Sequence, residues 1–275
     1  MSAVLLILAA ATWFSGTAAA TPQFASAENA TIHPGVATTT AGDCTANFVF
    51  TNGTDVFLGQ AAHCAGTGGP VATSGCLAES MPLGTPVTVQ GASRPGTLAY
   101  SSWLTMQQIG ETDSDTCAGN DFALVKLDPA DVAATNPSLP VFGGPTGVDT
   151  DGAAPGESVY TYGNSSLRGG IEPLSPQSGI TLETTNGGWT YSILTITPSL
   201  PGDSGSAVLS ADGEALGVVV TLAIAPTTGS NGATDLSRAL AYTNEHGNLG
   251  ELRLVSGTED FNASPLSLLG GLGLS

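Results

Sequence analysis

The chain has 275 residues, 41% of them hydrophobic, and five Lys and Arg stand against 23 Asp and Glu for a formal charge of -18 at pH 7. That charge repels phosphate backbones and anionic bilayers, so nucleic-acid and membrane partners are not expected, and the hydrophobic content argues against disorder. The 37 Gly and 17 Pro punctuate short apolar runs and form no collagen-like repeat, which predicts an all-β protein.

At the N-terminus, Ala3 to Phe14 are nearly all apolar and Ala18-Ala19-Ala20 offers a small-residue cleavage site. Residues 1–20 therefore read as an export signal, too short for a membrane span and without a basic n-region. Residues 21–40 read as an arm or short propeptide. The main domain is expected over 41–255, with a first half near 41–135, a second near 145–255 and a tail at 256–275. The Pro- and Gly-rich stretch 129–156 would connect the halves.

Strand candidates begin with Ala46–Phe50 and Asp55–Leu58 around the turn Asn52-Gly53, a hairpin signal. Others are Pro86–Gln90, Phe122–Leu127, Ser158–Tyr162, Gly179–Thr184, Tyr191–Thr197, Ser206–Leu209 and Ala215–Leu222. One helix is predicted, Asp235–His246, ended by Gly247. Glu111, Asp113 and Asp115 read as a solvated acidic loop rather than a calcium site.

Four cysteines fit an oxidising compartment. Three pairings are open; neighbourhood in sequence favours Cys44 with Cys64 and Cys76 with Cys117. No C-x-x-C occurs and only His33 and His246 remain besides His63, so neither a zinc site nor another cofactor is expected.

The most informative stretch is Pro201-Gly202-Asp203-Ser204-Gly205-Ser206. A serine between glycines can sit on a tight turn that side chains would block. The backbone N–H groups of Gly202 and Ser204 could there converge on a developing oxyanion. Serine needs a base, and Ala61-Ala62-His63-Cys64 sets one of three histidines behind an apolar run. The imidazole in turn needs a buried acceptor to hold its tautomer. Asp121 in Asn120-Asp121-Phe122-Ala123-Leu124-Val125-Lys126-Leu127 stands at the mouth of an apolar strand, where a carboxylate is costly without a partner.

AAHC, NDFALVKL and PGDSGS, in that order, resemble the trypsin/chymotrypsin family of serine peptidases, in its secreted microbial branch. The resemblance spans roughly residues 32–250. It implies two six-stranded antiparallel β-barrels, chymotrypsin-like, with a short C-terminal helix. His63 and Asp121 would come from the first barrel and Ser204 from the second, acting as a catalytic triad on a polypeptide substrate. It also implies the Cys44–Cys64 bridge beside the histidine. Tyr162-Gly163-Asn164 is similar to a glycine-containing strand of the second barrel. Gly217 to Leu222, with Val220, Thr221 and Leu222 nearest the substrate, is similar to the strand that pairs with the peptide.

Two departures shape expectation. No Ile-Val-Gly-Gly start is present; Ile32-His33-Pro34-Gly35 stands there instead. Asp203, which pairs with a freed N-terminus in the animal enzymes, then needs another cation, and Arg168 is the candidate for a structural ion pair. The acidic pocket residue of trypsin is replaced by Pro198, followed by Ser199 and Leu200. No Arg or Lys preference is expected, only a shallow pocket for small or apolar side chains.

The sequence thus reads as a secreted, monomeric serine endopeptidase. A catalytically silent protease-like binding module is the alternative from another class. An esterase of the α/β-hydrolase type fits less well, because Ser206 occupies the last glycine of G-x-S-x-G and only His246 follows the serine.

Overall fold

The computed structural model describes residues 22–68, 74–222 and 227–264. The export signal expected over residues 1–20, the end of the tail and the side chain of Leu222 lie outside the described residues. Fourteen strands, three α-helices and five short 3-10 turns are present among them.

The first half opens with β1 (Ala37–Thr39), β2 (Asp43–Thr45), β3 (Val49–Thr51) and β4 (Val56–Gln60). The β3–β4 hairpin turns at Asn52-Gly53. Asn52 Oδ1 accepts the N–H groups of Thr54 and Asp55 at 3.0 and 2.8 Å, and Gly53 takes φ +88°. Next come β5 (Pro86–Val89), β6 (Gly96–Ser101), α1 (Ser102–Ile109), α2 (Ser114–Gly119) and β7 (Ala123–Lys126). Asp113 caps α2, accepting Thr116 N–H at 2.8 Å, so that acidic residue has a structural task.

The second half contains β8 (Ser158–Tyr162), β9 (Pro176–Thr185), β10 (Thr190–Thr195), β11 (Ala207–Leu209), β12 (Ala215–Leu222) and β13 (Asn231–Asp235). After α3 (Leu236–His246), β14 (Arg253–Leu254) returns to the first half. The expected helix start at Asp235 is its cap, accepting Arg238 N–H at 2.7 Å.

The second half closes into a six-stranded barrel in the order β10-β13-β12-β11-β8-β9. The first does not close, which corrects the expectation of two six-stranded barrels. It is an eight-stranded sheet in the order β14-β3-β4-β7-β6-β5-β1-β2. Two contacts account for the opening. The outer edge of β3 is taken by β14, with Arg253 opposite Thr51. The end of β2 turns to the other half, where Thr45 N–H donates to Ser204 O at 2.8 Å. The first sheet therefore begins before residue 41 and borrows its last strand from the C-terminal region. Helices α1 and α2 are additions to the single helix expected.

Strands β3, β4 and β7 are buried on both faces, which is why they read as continuous apolar runs. Val49, Leu58 and Val125 face the first core, while Phe50, Phe57 and Leu124 face a second one. That second core also holds Phe142, Tyr162, Leu209 and Leu236, so it welds the two halves together. The barrel interior is filled by Val159, Tyr191, Ile193, Val208, Leu216, Val219 and Ala233. No helix among the described residues is long and apolar enough to cross a membrane.

Candidate active site

His63 sits on a 3-10 turn, Ala62–Ala65, directly after β4. The small residues Ala61 and Ala62 are fully buried, and the Cys44–Cys64 disulfide ties the turn to β2. Its partner Asp121 stands between α2 and β7. The neighbouring backbone is clamped by Ser102, whose Oγ accepts Phe122 N–H at 3.1 Å and donates to Asn120 O at 2.8 Å.

Both carboxylate oxygens of Asp121 serve one residue. Oδ1 accepts the His63 backbone N–H at 2.9 Å and Oδ2 accepts from Nδ1 at 2.7 Å. A carboxylate only accepts, so Nδ1 carries the proton and Nε2 is left as the basic nitrogen. Burial pushes the imidazole pKa down, but the Asp121 charge and hydrogen bond together outweigh it and hold the value above 6.5.

Ser204 lines the same cleft as His63 and Asp121. Its loop depends on two left-handed glycines, Gly202 at φ +100° and Gly205 at φ +93°. A Cβ on Gly205 would lie 2.3 Å from Thr45 O. Gly205→Ala is therefore expected to cost about 1–3 kcal/mol, from the disfavoured backbone, read as a lower urea midpoint.

The backbone donors of the loop divide in a telling way. Asp203, Gly205 and Ser206 N–H bond to Leu200 O, Val219 O and Asp203 O. Those of Gly202 and Ser204 have no acceptor among the described residues. The loop is also fastened to the first half: Thr45 Oγ1 donates to Gly202 O at 2.8 Å and Asn47 Nδ2 to Gly205 O at 3.0 Å. Among the described residues no hydrogen bond joins Ser204 Oγ to His63. Such bonds often tighten only with substrate in place.

Asp203 is fully buried and is not among the residues lining the cleft. Its Oδ1 accepts Ser165 N–H at 2.8 Å and a short contact from Arg168 Nη1; its Oδ2 accepts Leu200 N–H at 2.7 Å. Arg168 is itself 7% exposed, so this pair is desolvated. Gly163 makes room, since a Cβ there would meet Asp203 Oδ1 at 2.2 Å. With the Gln177 amide turned to satisfy both ends, its oxygen accepts from Arg168 Nη2 at 2.6 Å and its nitrogen donates to Ser199 Oγ at 3.0 Å. The Ser204 loop and the cleft wall thus share one buried polar network.

The cleft measures about 430 Å³. Ser199, Leu200, Val220 and Thr221 line it, but Pro198 is exposed and does not, which corrects its expected place in the pocket. Pro198 Cγ stands 3.6 Å from the position a Cβ would take on Gly229, and the segment lines the cleft from Ser199 onward. A bulge in β12 between Val219 and Thr221 sets Val220 and Thr221 on the cleft side. Asn231 was not anticipated. It accepts Ser199 N–H at 3.0 Å and donates to Ser199 O and Thr221 O, bracing the two walls. No sequence signal marks it, as it opens a strand without an apolar pattern. Trp103 also lines the cleft unannounced.

Both disulfides pair as neighbourhood favours, Cys44–Cys64 and Cys76–Cys117.

Comparison with known proteins agrees with this architecture. The trypsin-like peptidase domain family matches residues 45–218, more than half of the chain and all three of His63, Asp121 and Ser204. The chain belongs to that family and is a peptidase by descent. Among solved structures it is similar to Thermobifida fusca Protease A, at 19% identity and TM-score 0.52, covering 83% of this chain and 100% of that one. It is also similar to a Glu endopeptidase solved in complex with MPD, at 15% identity and TM-score 0.51, covering 80% and 94%. At these identities the likeness is one of fold. No curated protein sequence matches the chain.

Proposed function

We propose that the protein is a secreted serine endopeptidase that works through an acyl-enzyme on Ser204. The observation that carries this is the double hydrogen bond from His63 to Asp121, opening onto the cleft that Ser204 lines. His63 Nε2 takes the Ser204 proton as Oγ attacks the peptide carbonyl. The free N–H groups of Gly202 and Ser204 hold the oxyanion. The imidazolium, stabilised by Asp121, then protonates the leaving amine, and water resolves the ester by the reverse route. Arg168 and Asp203 fix the loop so that its two donors stay aimed.

Apart from His63 and Asp121, no ionisable side chain lines the cleft among the described residues. Asn231 spends its amide on the walls, and Ser199 and Thr221 are short. This supports a neutral pocket that takes uncharged side chains, without Arg or Lys preference. Two disulfides and an acidic surface suit an oxidising, extracellular setting.

A fluorophosphonate probe should label the protein at Ser204, mapped by peptide mass. Absence of that label from protein that turns over peptides would sink the serine mechanism. The histidine sets a second expectation. Only neutral His63 can take the proton, and its pKa lies above 6.5. Peptide kcat/KM should therefore rise with pH through an apparent pKa above 6.5, and a midpoint at or below 6.5 would contradict the coupling to Asp121.

A further inference from the structure

Asp203 occupies one end of the Arg168 guanidinium. The other end meets Gln177, on β9, which is buried. The Gln177 amide serves three groups. Its oxygen accepts from Arg168 Nη2 at 2.6 Å, and its nitrogen donates to Ser199 Oγ and to Thr197 O at 3.0 Å each. An amide suits this place, because it accepts at one atom and donates twice at the other without bringing a charge.

These contacts close a ring. Ser199 is followed by Leu200, whose N–H donates to Asp203 Oδ2 at 2.7 Å. Asp203 Oδ1 accepts from Arg168 Nη1, and Arg168 Nη2 leads back to Gln177 and so to Ser199. The ring therefore contains Ser199 and Leu200 of the cleft wall together with Asp203 of the nucleophile loop. The neighbours of Asp203, Gly202 and Ser204, carry the N–H groups that meet no acceptor among the described residues. Arg168, Gln177, Ser199 and Asp203 are all buried, so water does not readily replace a lost member of the ring.

Leu200 also meets Asp203 directly, accepting its N–H at 2.8 Å. Ser199, one residue earlier, is different. Asn231 holds its backbone, but its side chain reaches the guanidinium only through Gln177.

We propose that Gln177 is a positioning residue for the reaction. By fastening the Ser199 wall to the Arg168 guanidinium, it keeps the Gly202 and Ser204 N–H groups in register with the peptide that the wall receives. It touches no substrate, and its role rests on the peptidase reading of the same cleft. Without the amide oxygen, the guanidinium keeps Asp203 alone and can turn about that contact. Without the amide nitrogen, the wall can shift against the loop. A misplacement of about 1 Å costs about 100-fold in rate. The loss falls on kcat rather than KM, because the two N–H groups serve the oxyanion and not the bound peptide.

Two substitutions test this. Gln177→Met keeps the length of the side chain and removes the donor. Gln177→Glu keeps an acceptor for Arg168 and offers a second oxygen to the Ser199 hydroxyl. Steady-state kinetics on one peptide are read with a urea melt and fluorophosphonate labelling of Ser204 on every sample. Gln177→Met should lower kcat about 10- to 100-fold with KM within about threefold of native, and Gln177→Glu should regain most of that loss. Gln177→Met and Ser199→Ala cut the same link, so their losses in kcat should not multiply in the double variant. Should Gln177→Met not fold, Ser199→Ala decides, with a fall in kcat of about tenfold at unchanged KM supporting the link and a fall within about threefold overturning it. A lower urea midpoint with native kcat marks a purely structural role and overturns the proposal. So does a Gln177→Glu variant no faster than Gln177→Met, or a loss that appears in KM alone. Failure of the native protein to label defeats the serine-peptidase reading itself, whereas normal labelling with native kcat in the Gln177 variants defeats only the role of Gln177.

Discussion

Asp121→Asn is expected to lower kcat about 10⁴-fold while the fold stays intact. The reason lies in how the two oxygens are spent. Oδ1 accepts the His63 backbone N–H, a donor that cannot change its role, and Oδ2 accepts from Nδ1. Asparagine offers one oxygen and one NH₂ group. Its oxygen must stay with the backbone N–H, so its NH₂ faces Nδ1. Nδ1 then becomes an acceptor and the ring proton moves to Nε2. That is the wrong tautomer, because Nε2 can no longer receive the Ser204 proton. The lost charge also removes what holds the imidazole pKa above 6.5. Steady-state kinetics against pH, with a urea melt as the control for folding, checks both consequences. A loss of less than tenfold would mean that Asp121 does not orient the base.

Arg168→Ala is the second large effect. Asp203 is fully buried, and its carboxylate keeps only the Ser165 and Leu200 N–H groups once the guanidinium is gone. Breaking a buried pair by removing one partner costs about 3–5 kcal/mol, since the remaining charge is uncompensated. The loop can relieve this by letting the carboxylate swing toward water, and that movement drags Gly202 and Ser204 out of line. Stability and kcat should therefore fall together. Adding Asp203→Asn to Arg168→Ala should restore part of the stability. The restoration is incomplete, because Asn accepts at one oxygen while Ser165 and Leu200 both donate. A change in unfolding free energy within about 0.5 kcal/mol of native would show that the pair is not what holds the loop.

The three residues that meet in the cleft were legible in the sequence because each signature is local. His63 follows a run of small residues, Asp121 opens a buried strand and Ser204 sits between two glycines whose φ values are positive, as a tight turn requires. Strands such as Ser158–Tyr162 and Ala215–Leu222 were readable for the same reason, and so was the Asn52-Gly53 hairpin. What was not legible depends on tertiary contact. The first sheet stays open because β14 arrives from far along the chain to take the edge of β3. Helix α1 buries Ser102 and Thr105 beside Trp103 and Met106, so no apolar stripe announces it. Strand β13 is buried at all five positions, yet Asn231, Thr234 and Asp235 are polar because each serves a hydrogen bond: to the cleft wall, to Gly119 O and to the start of α3. Pro198 has the expected spacing from Ser204, but spacing along the chain does not fix which way a residue faces: it is exposed, and the cleft wall begins at Ser199.

One short strand carries more than its length suggests. β2 holds the His63 turn through Cys44 and the Ser204 loop through both the N–H and the hydroxyl of Thr45. His63 and Ser204 thus hang from the same three residues, at the end of an open sheet. Native proteins open locally as well as globally. Any local opening of β2 should therefore silence the protein while most of its core is still packed, so that competence would fail with one beam of the frame rather than with the frame.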